Sequence, residues 1–483
     1  MFISLANGYA LRNDSNGSFI IKIDRTPDTA DLQKGVLSIP PFFGKILSLL
    51  GTSEYPTNLQ DISNKTGLKA NTIKYFLDQL IENPEAKGIT VGNLMIVFPP
   101  FFLKKYDTPH TPTVFEEENF DWKQDLKINR PTVPANVNLM VTTKCTTDCQ
   151  YCYAKRNLQP LLSTDELISI VRDLRSAGVV NLSLTGGDIF AHKGWQELLK
   201  VVREVKYNPF LSTKTPISKE DIQLLVDIGC TDMQFSLDAA DPEILSRLIK
   251  VDNLYLEKVG KMLDACDKYG LKVGIRTVLT RINAEVEIME RLYDFITAHK
   301  AVCEWTVTPA FFSEYKEENY KDLEVDNEQL KALYPFFTSR ESKIPVSMNK
   351  MDEKGYELKR CTTPEEYAEK NMICLANSTT TSILANGLCV VCEMTYEHPE
   401  LILGDVRESS ITDIWNSPKA LRLYNFPKDE LAKDSVCSSC AVYTKCRAGF
   451  GKRICYMDIM KSGFRLDDPD PKCPMAPETD KIL

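Results

Sequence analysis

The sequence predicts an α/β protein built on a partial six-unit parallel barrel, with a small N-terminal domain before it and a metal-held C-terminal region after it. Three observations carry this reading. From residue 136 onward, apolar strand-like runs alternate six times with amphipathic helical stretches, the pattern of parallel βα units. Ahead of them, two short helical patterns run into a hairpin signal. Behind them the alternation dissolves, and nine of the fifteen cysteines lie beyond residue 360.

The 483 residues are 43% hydrophobic and 26% charged, with a mean hydropathy of -0.23, an ordinary composition for a chain that folds in water. Apolar runs such as Leu94 to Leu103 are broken by prolines and fall short of the roughly 18 residues of a membrane span. The opening MFISLANGYALRND lacks the basic region, apolar core and cleavage site of a signal peptide, which predicts a cytoplasmic setting. Cysteines in that setting are reduced, so their spacings are read as metal or redox chemistry before disulfides. A formal net charge of -9 gives no support to nucleic acid as a partner, and no membrane partner is expected.

Residues 1–105 are expected to form a winged-helix domain. Ser18 to Ile23 reads as a strand and Pro41 to Leu50 as a helix. Asn58 to Gly67 gives a helix stopped by glycine, and Asn71 to Ile81 a second with Ile73, Phe76, Leu77 and Leu80 on one face. Gly88 to Val91 and Leu94 to Phe98 flank Gly92-Asn93, a tight hairpin turn. Residues 1–110 carry 11 Lys and Arg against 10 Asp and Glu, a net of +1, too little positive charge for strong DNA binding. Peptide docking is the better expectation.

Residues 106–135 contain Pro109, Pro112, Pro131, Pro134 and the acidic run Glu116 to Glu118, which is linker composition. The barrel is placed at 136–345, with strands near 137–142, 180–185, 208–212, 232–237, 272–279 and 303–308. Ser163-Thr-Asp-Glu166 is a capping box, and Ser218 to Asp221 opens another helix in the same way. Six units cannot close an eightfold barrel, so ligands are expected at the C-terminal strand ends of a partial barrel or open sheet. Residues 346–483 form the cysteine-rich remainder.

Directly after the first strand comes Cys145-x3-Cys149-x2-Cys152. Three thiolates leave one iron of a four-iron cubane without a protein ligand, open to a substrate or cofactor, whereas structural zinc takes four closed ligands. The triplet, its place after strand one and Tyr151 before its last cysteine resemble the radical S-adenosylmethionine (SAM) enzymes. The resemblance implies a (β/α)6 radical SAM barrel. In it Cys145, Cys149 and Cys152 hold a 4Fe-4S cluster that, with SAM, yields a 5'-deoxyadenosyl radical. It further implies that Gly186-Gly187-Asp188 stands for the family's GGE motif at the methionine amino group, with the shorter Asp replacing Glu. Tyr151 would pack on the adenine. Ser212, Lys214, Ser236, Asp238 and Arg276 sit at strand ends where the family binds carboxylate or ribose. Taken alone, a Gly-Gly turn, a surface lysine or a capping serine is common.

Further on, Cys374-x12-Gly387-x4-Cys392 is followed by Cys437-x2-Cys440-x5-Cys446, Cys455 and Cys473. This resembles the SPASM domain, which carries two auxiliary 4Fe-4S clusters, and gives three clusters in all. The departure is eight residues between Cys446 and Cys455 where the family has three. The resemblance implies Cys374, Cys392 and Cys455 for one auxiliary cluster and Cys437, Cys440, Cys446 and Cys473 for the other. Cys361 is favoured as the fourth ligand of the first, with Cys389 or an open iron as alternatives. A zinc ribbon on Cys389-x2-Cys392 and Cys437-x2-Cys440 has legitimate spacing but leaves four cysteines unexplained. Cys230, Cys266 and Cys303 are read as small buried apolar residues, and the four histidines form no ligand pair.

The order winged helix, radical barrel, SPASM tail resembles the maturases of ribosomally made peptides. The resemblance implies a precursor peptide whose leader adds a strand to the N-terminal module, and a cross-link in its core, thioether first and carbon-carbon as alternative. A reducing partner such as flavodoxin or ferredoxin is implied too. A sulfatase-maturing type of oxidation, or an iron-sulfur winged-helix regulator, are the other readings. The precursor sequence, catalytic base and oligomeric state are not legible.

Overall fold

The computed structural model describes residues 1–23, 35–127, 129–311, 321–339, 341–349, 361–370, 373–396 and 398–478. Strands β1 (Phe2–Leu5), β2 (Tyr9–Asp14), β3 (Gly17–Lys22) and β4 (Val36–Ile39) open the chain. Helices α1 (Pro41–Ser48), α2 (Leu59–Thr66) and α3 (Ala70–Asp78) follow. Gly67 ends α2 in the left-handed region at φ 69° and donates its N–H to Ser63, the closure that glycine makes without a Cβ penalty. Phe76 of α3 stacks on Phe43 of α1 at 4.1 Å, and Phe98 meets both edge-on. The hairpin β5 (Lys87–Val91) and β6 (Leu94–Phe98) turns at Gly92, φ 59°. β6 buries Ile96 and Phe98 and exposes Met95 and Val97. β7 (Leu103–Tyr106) returns to pair antiparallel with β1.

Residues 106–135 are more than a linker. Thr113–Glu116 forms β8, which pairs parallel with β2 and completes a four-stranded sheet ordered β4-β3-β2-β8. Part of the acidic run is engaged, because Glu116 binds Lys45 at 2.9 Å and Glu117 accepts from Ser15 N–H and Thr132. Beyond it, the strap Arg130-Pro131-Thr132 joins three regions. Thr132 N–H donates to Asp14 Oδ2 at 2.9 Å, and Trp415 Nε1 donates to Pro131 O at 2.9 Å. Arg130 donates to Asn377 Oδ1 at 2.7 Å and stacks 4.1 Å from the Trp415 ring. Proline and charge give such a strap the composition of a loose connection, and only its long-range partners show otherwise.

The central sheet comprises β9 (Asn136–Thr142), β10 (Asn181–Gly186), β11 (Ser212–Thr213), β12 (Asp232–Ser236), β13 (Lys272–Leu279), β14 (Val302–Pro309) and β15 (Val346–Met348). β10 lies parallel to β9, a parallel bridge from Ser183 to Phe210 links β10 to the segment before β11, and β11 to β15 continue parallel. The third strand is therefore shorter and later than 208–212, because its first part makes only that bridge. β15 adds a seventh parallel strand just past residue 345. β16 (Thr380–Ile383) then pairs parallel with β9 on the opposite side, and β17 (Leu388–Val390) and β18 (Ile402–Asp405) extend it antiparallel. The C-terminal region thus shares the barrel's sheet.

Helices α4 (Thr164–Ala177), α5 (Trp195–Glu204), α6 (Lys219–Asp227), α7 (Pro242–Ile249), α8 (Tyr255–Tyr269) and α9 (Val286–Thr297) cover its outer face. Ser163 and Glu166 form the expected capping box on α4, and Ser218 caps α6. Leu139, Val141, Phe235, Ile275, Trp305 and Val307 are fully buried beneath them in one core. No helix among the described residues is long and apolar enough to cross a membrane.

Candidate functional site

β9 delivers the chain into the loop that carries Cys145, Cys149 and Cys152, at the C-terminal end of the parallel sheet, where such folds build their sites. Gly187 N–H donates to Thr142 O at 2.7 Å and Asp188 N–H to Lys144 O at 2.8 Å, so the end of β10 grips the base of the loop. A Cβ on Gly186 would lie 2.3 Å from Thr142 O, and one on Gly187 2.1 Å from Lys144 O. The glycine pair is required by this backbone approach. From the other side, Asp148 and Gln150 N–H donate to Ile249 and Leu248 O at the end of α7.

Asp188 is bonded within the protein on both carboxylate oxygens. Its Oδ2 accepts from Thr213 Oγ1 (2.6 Å), Thr215 Oγ1 (2.8 Å), Lys214 N–H (3.1 Å) and Thr215 N–H (3.2 Å), while Oδ1 caps Phe190 N–H at 3.0 Å. The buried carboxylate thus braces the turn after β11. Asp for Glu is the right length for this task.

Tyr151 donates its hydroxyl to Asp238 Oδ2, and Lys214 Nζ donates to the same oxygen at 2.9 Å while lying 5.5 Å over the Tyr151 ring. Val278 N–H holds Asp238 Oδ1 at 3.0 Å. Burial works against the Lys214 charge, but Asp238 and the Cys149 thiol outweigh it, and the amine stands above its ordinary value. Ser212 donates to Gln234 Oε1 at 2.8 Å, and Gln234 Nε2 donates to Ser236 Oγ at 2.7 Å, one polar row across β11 and β12. Arg276 stands next to Ser236 in register, exposed, with its guanidinium 5.5 Å over Phe210. Gly186 closes β10, Ser212 opens the short β11, Ser236 closes β12 with Asp238 just past it, Tyr151 stands in the cysteine loop, and Arg276 lies midway along β13 beside Ser236.

Arg156 is a member that sequence reasoning missed. Its Nη1 donates to Thr147 O at 2.7 Å, its Nη2 reaches Cys152 Sγ at 3.6 Å, and the charges raising its pKa are those of Cys152, Cys145 and Cys149, against the opposing cost of burial. Four residues past the last cysteine it carried no signal beyond its charge. Glu393 was also missed. It follows Cys392, faces Thr185 of β10, and burial holds its carboxyl above the usual range.

The remaining thiols separate into two groups. Cys374, Cys392 and Cys455 lie close enough for the Cys374 thiol to act on both others. Cys437, Cys440, Cys446 and Cys473 line one small pocket with Tyr367, Tyr443 and Asp470. Cys361 stands apart. It sits before the helix Pro364–Lys370, and the charges that act on it are those of Glu366 and Lys370. Cys389 is buried in the main core with Thr381 Oγ1 at 3.3 Å. Cys230 and Cys266 are buried as expected, whereas Cys303 is exposed on β14, its Sγ 3.6 Å from Val273 O.

The donor chemistry fits iron-sulfur clusters. Each group offers sulfur alone in sets of three or four, and burial pushes Cys149 up to about 11 and Cys392 and Cys446 up to about 12. Such thiols stay protonated until a metal takes the proton's place.

Comparison with known proteins agrees. Residues 139–293 match the radical SAM superfamily, and residues 374–441 match the SPASM family, an iron-sulfur cluster-binding domain. The chain is 30% identical to the sporulation killing factor maturation protein SkfB of Bacillus subtilis over 23% of this chain and 27% of that one. It is 22% identical to the PqqA peptide cyclase of Rhizobium meliloti over 71% of this chain and 87% of that one. It spans about half the length of the GTP 3',8-cyclases it also matches. In fold it is similar to Streptococcus suis SuiB solved with the precursor peptide SuiA, at TM-score 0.64 and 16% identity over 98% of this chain and 100% of that one. With the three-thiol loop at the barrel mouth and the thiol groups behind it, the chain is a radical SAM protein that carries a SPASM domain.

Proposed function

We propose that this radical SAM enzyme is a peptide maturase that closes an intramolecular cross-link, a thioether first and a carbon-carbon bond as the alternative, in a ribosomally made precursor peptide. One observation carries the reading. A three-thiol loop, two further thiol groups and an N-terminal sheet whose β4 edge has no strand partner among the described residues stand on one chain. The likeness to a PqqA peptide cyclase and to SuiB with its bound precursor peptide supports a peptide as the substrate class.

Helices α1 to α3 with the β5–β6 hairpin are read as a winged helix within 1–105, and a leader adding as a strand beside β4 uses backbone bonds that tolerate sequence variation. The segment 106–135 straps this module to the barrel of 136–345 and the SPASM region of 346–483. Three 4Fe-4S clusters are proposed. When bound, SAM and the cluster on Cys145, Cys149 and Cys152 supply a 5'-deoxyadenosyl radical, while auxiliary clusters on the other two thiol groups offer a sink for the surplus electron of bond closure. Asp238 fixes Tyr151 and Lys214 so that a ring face and an ammonium stand ready beside the thiols. Arg156 places positive charge against Cys152. Ser212, Ser236 and Arg276 offer polar groups for the carboxylate and ribose of SAM. A one-electron carrier such as flavodoxin or ferredoxin is the proposed reductant, and the setting is proposed as cytoplasmic.

The test is anaerobic incubation of reconstituted protein with SAM, a reductant and a precursor peptide encoded beside its gene. The expected product has lost two hydrogens and depends on the leader. A leader-independent conversion of a cysteine or serine side chain to an aldehyde would overturn the proposal in favour of the sulfatase-maturing type.

A further inference from the structure

Two fully buried cations near the Cys374 group face no carboxylate partner among the described residues. Lys452 has no exposed surface, donates to Leu423 O at 3.3 Å and lies 5.3 and 5.6 Å from the ring centres of Tyr424 and Tyr456. Arg130 is 1% exposed and donates to Asn377 O and Oδ1 and to Trp415 O, while its Nε has no acceptor. Neither makes an ion pair among the described residues. Burying a charge without an opposite one is costly, and aromatic faces offset only part of it.

The buried carboxylates of the neighbourhood are engaged elsewhere. Asp458 pairs with Lys472 Nζ at 2.7 Å, and Asp470 accepts the N–H of Cys455 at 2.7 Å and of Lys472 at 2.9 Å. What adjoins the cations is the second thiol group. Cys374 N–H donates to Lys452 O at 2.8 Å, and the chain runs from Lys452 to Cys455 in three residues. Arg130 reaches the same place through Asn377, three residues past Cys374. Protonated thiols would leave both cations unanswered, whereas a thiolate-ligated cubane is an anion, and its net charge helps set its potential.

We infer that Lys452 and Arg130 are a built-in counter-charge for an anionic iron-sulfur cluster held by Cys374, Cys392 and Cys455, positioning residues that favour its reduced state. The inference rests on the cluster assignment proposed above. Beside the Cys437 group stands a single buried cation, Arg447, which donates to Leu466 O and Asp468 O.

The experiment uses the full chain with Cys145→Ala, Cys149→Ala and Cys152→Ala combined, so that only auxiliary clusters contribute. Iron per chain and the midpoint potentials are read by redox titration followed by electron paramagnetic resonance. Lys452→Met is expected to keep its iron and to lower one midpoint so that the reduced-to-oxidised ratio at fixed potential falls at least tenfold, about 59 mV for one electron. Lys452→Arg is expected to restore it. Both midpoints unchanged in Lys452→Met would overturn the inference. If Lys452→Met sheds the cluster, retention by Lys452→Arg supports the counter-charge and shedding by both overturns it. Cys455→Ala tests the assignment separately, and full iron in that variant would overturn the assignment and the inference with it.

Discussion

Replacing Asp188 by Asn separates a structural from a cofactor-binding role at the GGD turn. Five donors converge on the carboxylate, four of them on Oδ2 at 2.6 to 3.2 Å. A hydrogen bond to a charged group contributes about 1.5–3 kcal/mol. The amide removes the charge and turns one acceptor oxygen into a donor that faces other donors. Losing the equivalent of one to two such bonds costs about 3 kcal/mol, which predicts a fall in melting temperature of roughly 3 °C for a chain of this length melting as one unit. Asp188→Glu, although it supplies the acid of the family motif, inserts a methylene at a site 3% exposed and is expected to cost about 1–3 kcal/mol. Thermal melts of the reconstituted variants are to be compared with equilibrium SAM binding. An Asn variant that melts like the parent but binds SAM more than tenfold more weakly would refute the reasoning and return Asp188 to the cofactor.

Other outcomes follow from the same geometry. Arg156→Gln should leave iron content intact and slow SAM cleavage about tenfold, equivalent to about 1.4 kcal/mol, with partial recovery in Arg156→Lys. Cys361→Ser should retain full iron, whereas Cys455→Ala should lose about four irons per chain. Trp415→Ala, which leaves Arg130 without its stacking partner and Pro131 O without a donor, should cost about 3 kcal/mol or more, read as a lower melting temperature. Glu166 is held down to about 2 by Arg407 and by the Ser163 cap. Its native pKa lies below the unfolded one, so its contribution to stability is present above about pH 4.5 and fades as pH falls toward about 2. Glu166→Gln should flatten that part of the acid melting profile.

The parts of the fold set by local periodicity were legible. Strand limits at 272–279 matched residue for residue, and the others fell within a few residues, because a buried parallel strand is a continuous apolar run. β15 and β16 were missed because three or four residues of Ser, Thr, Val and Met carry no period, and only partners far along the chain recruit them. β8 and the Arg130 strap were hidden by proline-rich composition for the same reason. At the site, cysteine spacing located the ligands because metal chemistry fixes spacing. It left the fourth ligand of the Cys374 group open between Cys361, Cys389 and an open iron, since spacing alone does not bring distant segments together. Arg156 and Lys452 were invisible in the sequence, where a buried cation reads like any surface one.

The most direct measurement of the central claim is anaerobic iron and sulfide analysis of reconstituted protein with SAM cleavage assayed after reduction. The parent chain is compared with Cys145→Ala, Cys149→Ala and Cys152→Ala combined. About twelve irons falling to about eight, with cleavage abolished, is the predicted result, given four irons per cubane. Zinc in place of iron, or cleavage that survives in the triple variant, would contradict it.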